Sequence, residues 1–314
     1  MIKKVDSQKT IWSEVGKDIK YEYYRNSSRS KELREWVDNV LFVTKLIEFL
    51  DENFMDKFRN EDFFGRLWEL EIVEWLNLTG IKMLPTLGTG PDFCLELEDG
   101  SKIWVEAVLS RPDTELEKMH DDSFIRSGSA HQIPNEEIAL RYSTSLVAKA
   151  EKIKNKYVGI IGPNDYTLIA VSSFPFGSMW PDINMFMPAI LPVEFQIVYF
   201  SKDGSPLNEN VIRPTHSIKR EYKKESGAIV KKEFLYPGNY FPYIDGVIFS
   251  EASNLQQLLG RYSTAFSEST NRPHIFANYV GKVLPEIFTN NFYNHKFKDK
   301  DSMVSLEVIN PTIV

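Results

Sequence analysis

The sequence predicts a mixed α/β fold whose middle runs helix, strand, strand, strand, helix, strand. Three observations carry this order: a wide apolar helical face over 63–78, two short β-type runs joined by an Asp-Gly turn at 92–108, and a long helical pattern at 136–156 followed by an apolar strand pattern at 166–172. Apolar spacing at three and four residues marks the helices, and short β-rich runs bounded by turn residues mark the strands.

Taken in order, Trp36, Val40, Val43, Leu46, Ile47 and Leu50 have helical spacing and predict a helical N-terminal region over 1–62. The segment 63–78 is apolar at Leu67, Leu70, Ile72, Val73, Trp75, Leu76 and Leu78, with Gly80 just past its end as a stop signal. A short strand is expected at 81–84 and a turn at 85–90. Pro91-Asp92-Phe93-Cys94-Leu95-Glu96-Leu97 and Lys102-Ile103-Trp104-Val105-Glu106-Ala107-Val108 then read as a hairpin through Glu98-Asp99-Gly100-Ser101. Residues 109–134 show no sustained period and predict a long flap beside a site. Asn135 suits an N-cap, and Lys152, Lys154 and Lys156 gather where the dipole of a helix over 136–156 favours cations. Further strands are expected at 195–200 and 246–249, with a helix at 254–261. No linker divides the chain cleanly, so one elaborated domain is predicted: an N-terminal helical region, a core over 63–260 and a C-terminal extension over 261–314 packed on it.

Composition narrows the function classes. The chain of 314 residues is 42% hydrophobic and 26% charged, as expected of a chain with a sizeable core. Its single cysteine, Cys94, excludes an internal disulfide framework, and the N-terminus has no apolar stretch behind its charges, so a reducing, cytoplasmic setting is expected. The longest apolar-rich stretch, 185–200, is interrupted by Pro188, Pro192, Glu194 and Gln196, and no membrane span is predicted. A net charge of −7 argues against a nonspecific nucleic-acid coat. One basic strip, Lys219-Arg220 through Lys223-Lys224 to Lys231-Lys232, reads as a phosphate track or as a solvated hairpin, since Glu221, Glu225 and Glu233 are interspersed. The five histidines form no i,i+4 pair and lack cysteine partners, against a zinc site, and no nucleophile-elbow, P-loop or dinucleotide motif is present.

The hairpin supplies the chemistry. Residues equidistant from its turn face each other, so Glu96 should meet Lys102 and Asp92 should fall opposite Glu106. Two close carboxylates repel unless one is protonated or a cation lies between them, and Mg²⁺ favours a few carboxylate oxygens completed by water and phosphate oxygens. The plainer alternative makes Asp92 a turn residue and Glu106 a solvent-facing strand residue.

Gly90-Pro91-Asp92-Phe93, followed after the hairpin by Trp104-Val105-Glu106-Ala107, resembles the Pro-Asp…Glu-x-Lys signature of the PD-(D/E)xK, or restriction-endonuclease-like, nuclease superfamily, whose core is αβββαβ. The resemblance covers roughly 63–172. It implies a Mg²⁺- or Mn²⁺-dependent endonuclease hydrolysing phosphodiester bonds, with DNA as partner; self-association is left open. It implies Asp92, Glu106 and a glutamate of the first core helix as metal ligands. Glu69 is similar to that glutamate and lies at about 200° on the helical wheel from Leu67, inside an apolar arc; Glu71 is the second choice, and a salt bridge to Arg66 or Lys82 is the plain alternative for either. The family's lysine, two residues after Glu106, is replaced by Val108. Arg141, Ser145, Lys149 and Lys152 fall within about 80° on the following helix, and Lys149 is the candidate replacement. Should no cation reach the site, the chain would be a non-catalytic nucleic-acid-binding or assembly module on a degenerate nuclease fold.

Overall fold

A computed structural model describes residues 10–86, 88–111, 135–172, 183–190, 221–223, 229–231, 235, 241–250, 274–277, 282–290, 293–300 and 303–309. The N-terminal region is helical but broken into pieces. α1 (Ile19–Asn26) is capped by the Asp18 carboxylate, and α2 (Lys31–Asp38) runs into a π-type turn at Asn39–Val43 and a 3-10 turn at Leu46–Phe49. The helical spacing from Trp36 to Leu50 therefore does not belong to one helix: Lys45 takes a left-handed conformation (φ 59°), which restarts the chain direction between the two turns. After α3 (Phe54–Asn60), Asp62 accepts the Gly65 N–H and starts α4 (Phe63–Leu78). Gly80, at φ 72°, follows its end, a backbone state that glycine adopts without steric cost.

Strands β1 (Lys82–Leu84), β2 (Phe93–Glu96) and β3 (Lys102–Leu109) form an antiparallel meander, with Glu96 paired to Lys102. In the tight connection, the Asp99 carboxylate accepts the Ser101 N–H at 3.0 Å, and Gly100 sits at φ 82°. Helix α5 (Asn135–Lys156) then carries the chain across to β4 (Tyr166–Ser172), parallel to β3. Beyond it come α6 (Ile183–Ile190), the two-stranded ladder of β5 (Glu221–Lys223) and β6 (Ile229–Lys231), then β7 (Gly246–Ser250), β8 (His274–Ala277), α7 (Glu286–Thr289), β9 (Tyr293–Lys300) and β10 (Met303–Ile309). The main sheet has the order β1-β2-β3-β4-β7-β8-β9-β10. The chain is thus a mixed α/β protein. The strand expected at 195–200, the helix at 254–261 and the flap over 112–134 lie outside the described residues. So do the side chains of the basic strip at 219–232, of which the hairpin backbone at 221–223 and 229–231 is described.

Strand alternation assigns the sheet faces. Ile103, Val105 and Ala107 point towards α4 and join one buried cluster with Leu67, Trp68, Val73 and residues of the N-terminal helices. Ile169, Val171, Val247 and Phe249 point the other way, into a cluster with Ile138, Tyr142 and Leu146 of α5. Trp68 fixes α4 across the sheet, donating its indole N–H to the Ala170 carbonyl at 3.3 Å while fully buried. By the same alternation Trp104, Glu106 and Val108 lie on the α5 face. No helix among the described residues is long and apolar enough to cross a membrane.

Candidate active site

The antiparallel register Phe93↔Val105, continued by one residue, sets Asp92 across from Glu106 at the end of the hairpin where β3 outruns β2. Asp92 precedes the strand and is only partly exposed; its Oδ2 accepts the Ala107 backbone N–H at 2.7 Å. That bond turns the carboxylate towards β3. The Asp92 carboxyl is raised above its usual range, first by burial and then by repulsion from Glu106, with Lys149, the Ala107 N–H and Lys152 opposing.

Glu106 has no exposed surface. A buried carboxylate needs compensating partners, and α5 supplies them. Lys149 Nζ lies 2.6 Å from Glu106 Oε1, and Lys152 Nζ contacts the same oxygen. The Tyr157 hydroxyl, one residue past the end of α5, donates to Oε2 at 3.0 Å. Burial first, and then Glu106 itself, drives the Tyr157 hydroxyl far above its ordinary value of 10.0, so it remains a donor. The plain reading of Glu106 as a solvent-facing residue does not hold.

Glu69 projects from α4. Its carboxyl pairs with Arg66 at 2.7 Å, and Arg66 also reaches Asp51 at 2.5 Å. The salt bridge that served as the plain alternative for Glu69 is therefore formed. Burial nevertheless pushes the Glu69 carboxyl up to about 8, with Asp92 and Asp51 adding repulsion and with Arg66 and Lys149 opposing. Those influences place Glu69, Asp92 and Lys149 within electrostatic reach of one another. Glu71 is buried and points elsewhere: its Oε1 accepts the Ser250 hydroxyl at 2.9 Å. Lys82 pairs with Glu96 at 2.5 Å. In the basic stripe of α5, Ser145 bonds Ser110 at 3.4 Å, just beyond the end of β3.

Among the described residues, no three His, Cys, Asp or Glu side chains are gathered tightly enough to enclose an ion. The donor set instead fits an ion held by a carboxylate pair, Asp92 and Glu106, and completed by water and phosphate oxygens, as Mg²⁺ and Mn²⁺ sites commonly are. Burial first, and then repulsion from Glu106, raises the Asp92 carboxyl, and a cation shared by the two would relieve that repulsion. Glu69, expected as a third ligand, is tied to Arg66 and is not gathered with Asp92 and Glu106 into a three-carboxylate group among the described residues.

Two members of the site were not singled out from sequence. Lys152 shares the basic stripe of α5 with Lys149, and nothing in the stripe itself tells which of the two reaches Glu106; both do. Tyr157 lies beyond the helical pattern, although eight residues from Lys149 place it only about 80° away on a continued wheel. Its N–H still donates to the Ile153 carbonyl at 3.2 Å, which carries the helical path one residue further.

The Glu69 shift gives a stability signature. A carboxyl that titrates at about 8 in the fold, against an ordinary 4.5, binds its proton more tightly when folded. Its contribution is complete below the unfolded value and is lost as pH rises through the folded one. The melting temperature of the protein in chelator is expected to fall between about pH 5 and pH 8 for this reason, and Glu69→Gln should flatten that fall. An equal slope in the variant would assign the titration to another group, of which Asp92 is the first candidate.

The fold and site together define a mixed α/β protein in which buried Glu106, opposite Asp92 on the β2–β3 hairpin, is clamped by two lysines from α5. Comparison of the chain with protein-family models, curated proteins and solved structures finds no match.

Proposed function

We propose that the chain is a divalent-metal-dependent nuclease of the PD-(D/E)xK type, hydrolysing phosphodiester bonds in DNA. The observation that carries the reading is the delivery of Lys149 from α5 to Glu106, opposite Asp92, at the place where Val108 leaves the strand without a cation. The element order α4, β1, β2, β3, α5, β4 agrees with the αβββαβ core that the resemblance implies. Asp92 and Glu106 would hold Mg²⁺ or Mn²⁺. Such an ion supplies charge stabilisation at the phosphoryl oxygens and a more acidic water. Tyr157 fixes the rotamer of Glu106, and the Ala107 N–H fixes that of Asp92. The Lys149 ammonium, among Glu69, Asp92 and Glu106, is placed to orient the attacking water or to neutralise charge developing on the phosphate.

A second reading has its own support. The lysines and Tyr157 already satisfy both Glu106 oxygens, as a retired site that keeps a nuclease fold for binding or assembly would require. One pair of measurements separates the two. With the purified chain, Mg²⁺ or Mn²⁺ should raise the melting temperature by several degrees, as ligand linkage requires, and should support cleavage of linear or supercoiled DNA that stops in chelator. Neither effect at millimolar metal would leave the scaffold reading standing.

A further inference from the structure

We propose that Lys152 is a built-in counter-cation that gives up its place on Glu106 when a divalent ion binds, while Lys149 remains. The inference rests on the metal reading above. It starts from an excess of donors: Glu106 Oε2 takes the Tyr157 hydroxyl, and Oε1 takes two ammonium groups, from Lys149 and Lys152. A carboxylate oxygen offers about two lone-pair directions, so an incoming cation can reach Oε1 only by displacing one of them.

The structure distinguishes the two lysines. Both ammonium groups lie on Glu106 Oε1, but they differ in how open they are to water. Lys149 keeps 23% of its side-chain surface exposed and Lys152 keeps 34%. Lys152 also lies one helical turn nearer the end of α5, where its ammonium already hangs 5.4 Å from the centre of the Tyr157 ring. Its long stem can swing the charge into water without moving the backbone. Withdrawing Lys149 would remove from Glu106 the less exposed of its two ammonium groups, and withdrawing Tyr157 would leave Oε2 without its donor. Lys152 is the group that can leave.

Exchange has a direct consequence: Lys152 holds Glu106 in place before metal arrives and weakens metal binding by competing for the same oxygen. An ammonium released there lies one helical turn from Lys149 and is free to pair with an anion.

The test is titration calorimetry of the full chain with Mn²⁺ in the absence of DNA, comparing wild type, Lys152→Gln and Lys152→Arg, with melting curves in chelator and in saturating Mn²⁺. Lys152→Gln should bind Mn²⁺ about tenfold tighter, the scale on which one neighbouring charge shifts an ionic equilibrium. It should also melt earlier than wild type in chelator and lose most of that deficit in Mn²⁺. Lys152→Arg, whose guanidinium can grip the carboxylate with two parallel bonds, should bind Mn²⁺ no tighter than wild type. A residue with only a structural role would lower stability in both buffers and leave affinity equal or weaker, and that result overturns the proposal while wild-type binding upholds the metal reading. Absence of Mn²⁺ binding by all three proteins overturns both.

Discussion

Asp92→Asn is expected to lower Mg²⁺-dependent cleavage by about 10³-fold, the loss that follows from removing several kcal/mol of metal-derived charge stabilisation, while the fold is retained. The substitution matters as much as the site. Asp92 Oδ2 accepts the Ala107 N–H at 2.7 Å, so Asp92→Ala would leave a buried backbone donor unpaired and destabilise the protein by about 1–3 kcal/mol. Asparagine keeps a carbonyl acceptor in that place and removes only the charge that repels Glu106 and attracts a cation. The expected pair of results is lost turnover and lost metal-induced stabilisation, with a melting temperature in chelator at or above that of wild type, because relief of the Asp92–Glu106 repulsion favours the fold. Full activity in Asp92→Asn would remove Asp92 from the mechanism. A large drop in melting temperature in chelator would make its bond to Ala107 the more important role.

What could be read from the sequence follows the range of the signals. The facing of Asp92 and Glu106 was legible because a two-residue period and a tight Asp-Gly turn fix a hairpin register locally. The approach of Lys149 to Glu106 was legible for a related reason: a helix after the third strand must pack back on the sheet, and its period puts one basic stripe inward. Arg66 was seen as a partner for Glu69, but Asp51, on the far side of Arg66, was not, since the segment that carries it follows a left-handed break at Lys45 that no periodicity announces. The sheet beyond β4 was the least legible part. Parallel pairing of β4 with β7 joins Leu168 to Gly246 across a long connection, and no local pattern encodes such a partner. Tyr157 escaped because it lies where the helical pattern stops, though its hydroxyl completes the holding of Glu106.

Lys149→Ala is the second large effect, and it separates a cutting enzyme from a binding scaffold. Turnover should fall about 10²–10³-fold, as when one aligned donor is removed from a site of developing charge. Glu106 would keep Lys152 and the Tyr157 hydroxyl, so it would not be stranded as an unpaired buried charge, and metal affinity should be equal or higher. This separates Lys149 from Asp92, whose loss should remove metal binding and turnover together. Val108 lies two residues from Glu106 on the same face of β3, partly buried against the cluster beneath α5. A lysine introduced there would carry its ammonium from the strand instead of the helix. Val108→Lys in the Lys149→Ala background should therefore recover part of the lost rate, since what the chemistry requires is a cation beside Glu106, whichever element supplies it. The stem of the new lysine must displace apolar contacts with α5, at a cost of about 1–3 kcal/mol for forcing a longer chain into a packed site, so the double variant should melt earlier than either parent. Cleavage by Lys149→Ala at the wild-type rate would assign the cation's role to Lys152 or to a group outside the described residues; absence of cleavage in wild type and variants alike would favour the scaffold, with α5 acting only to neutralise a buried glutamate.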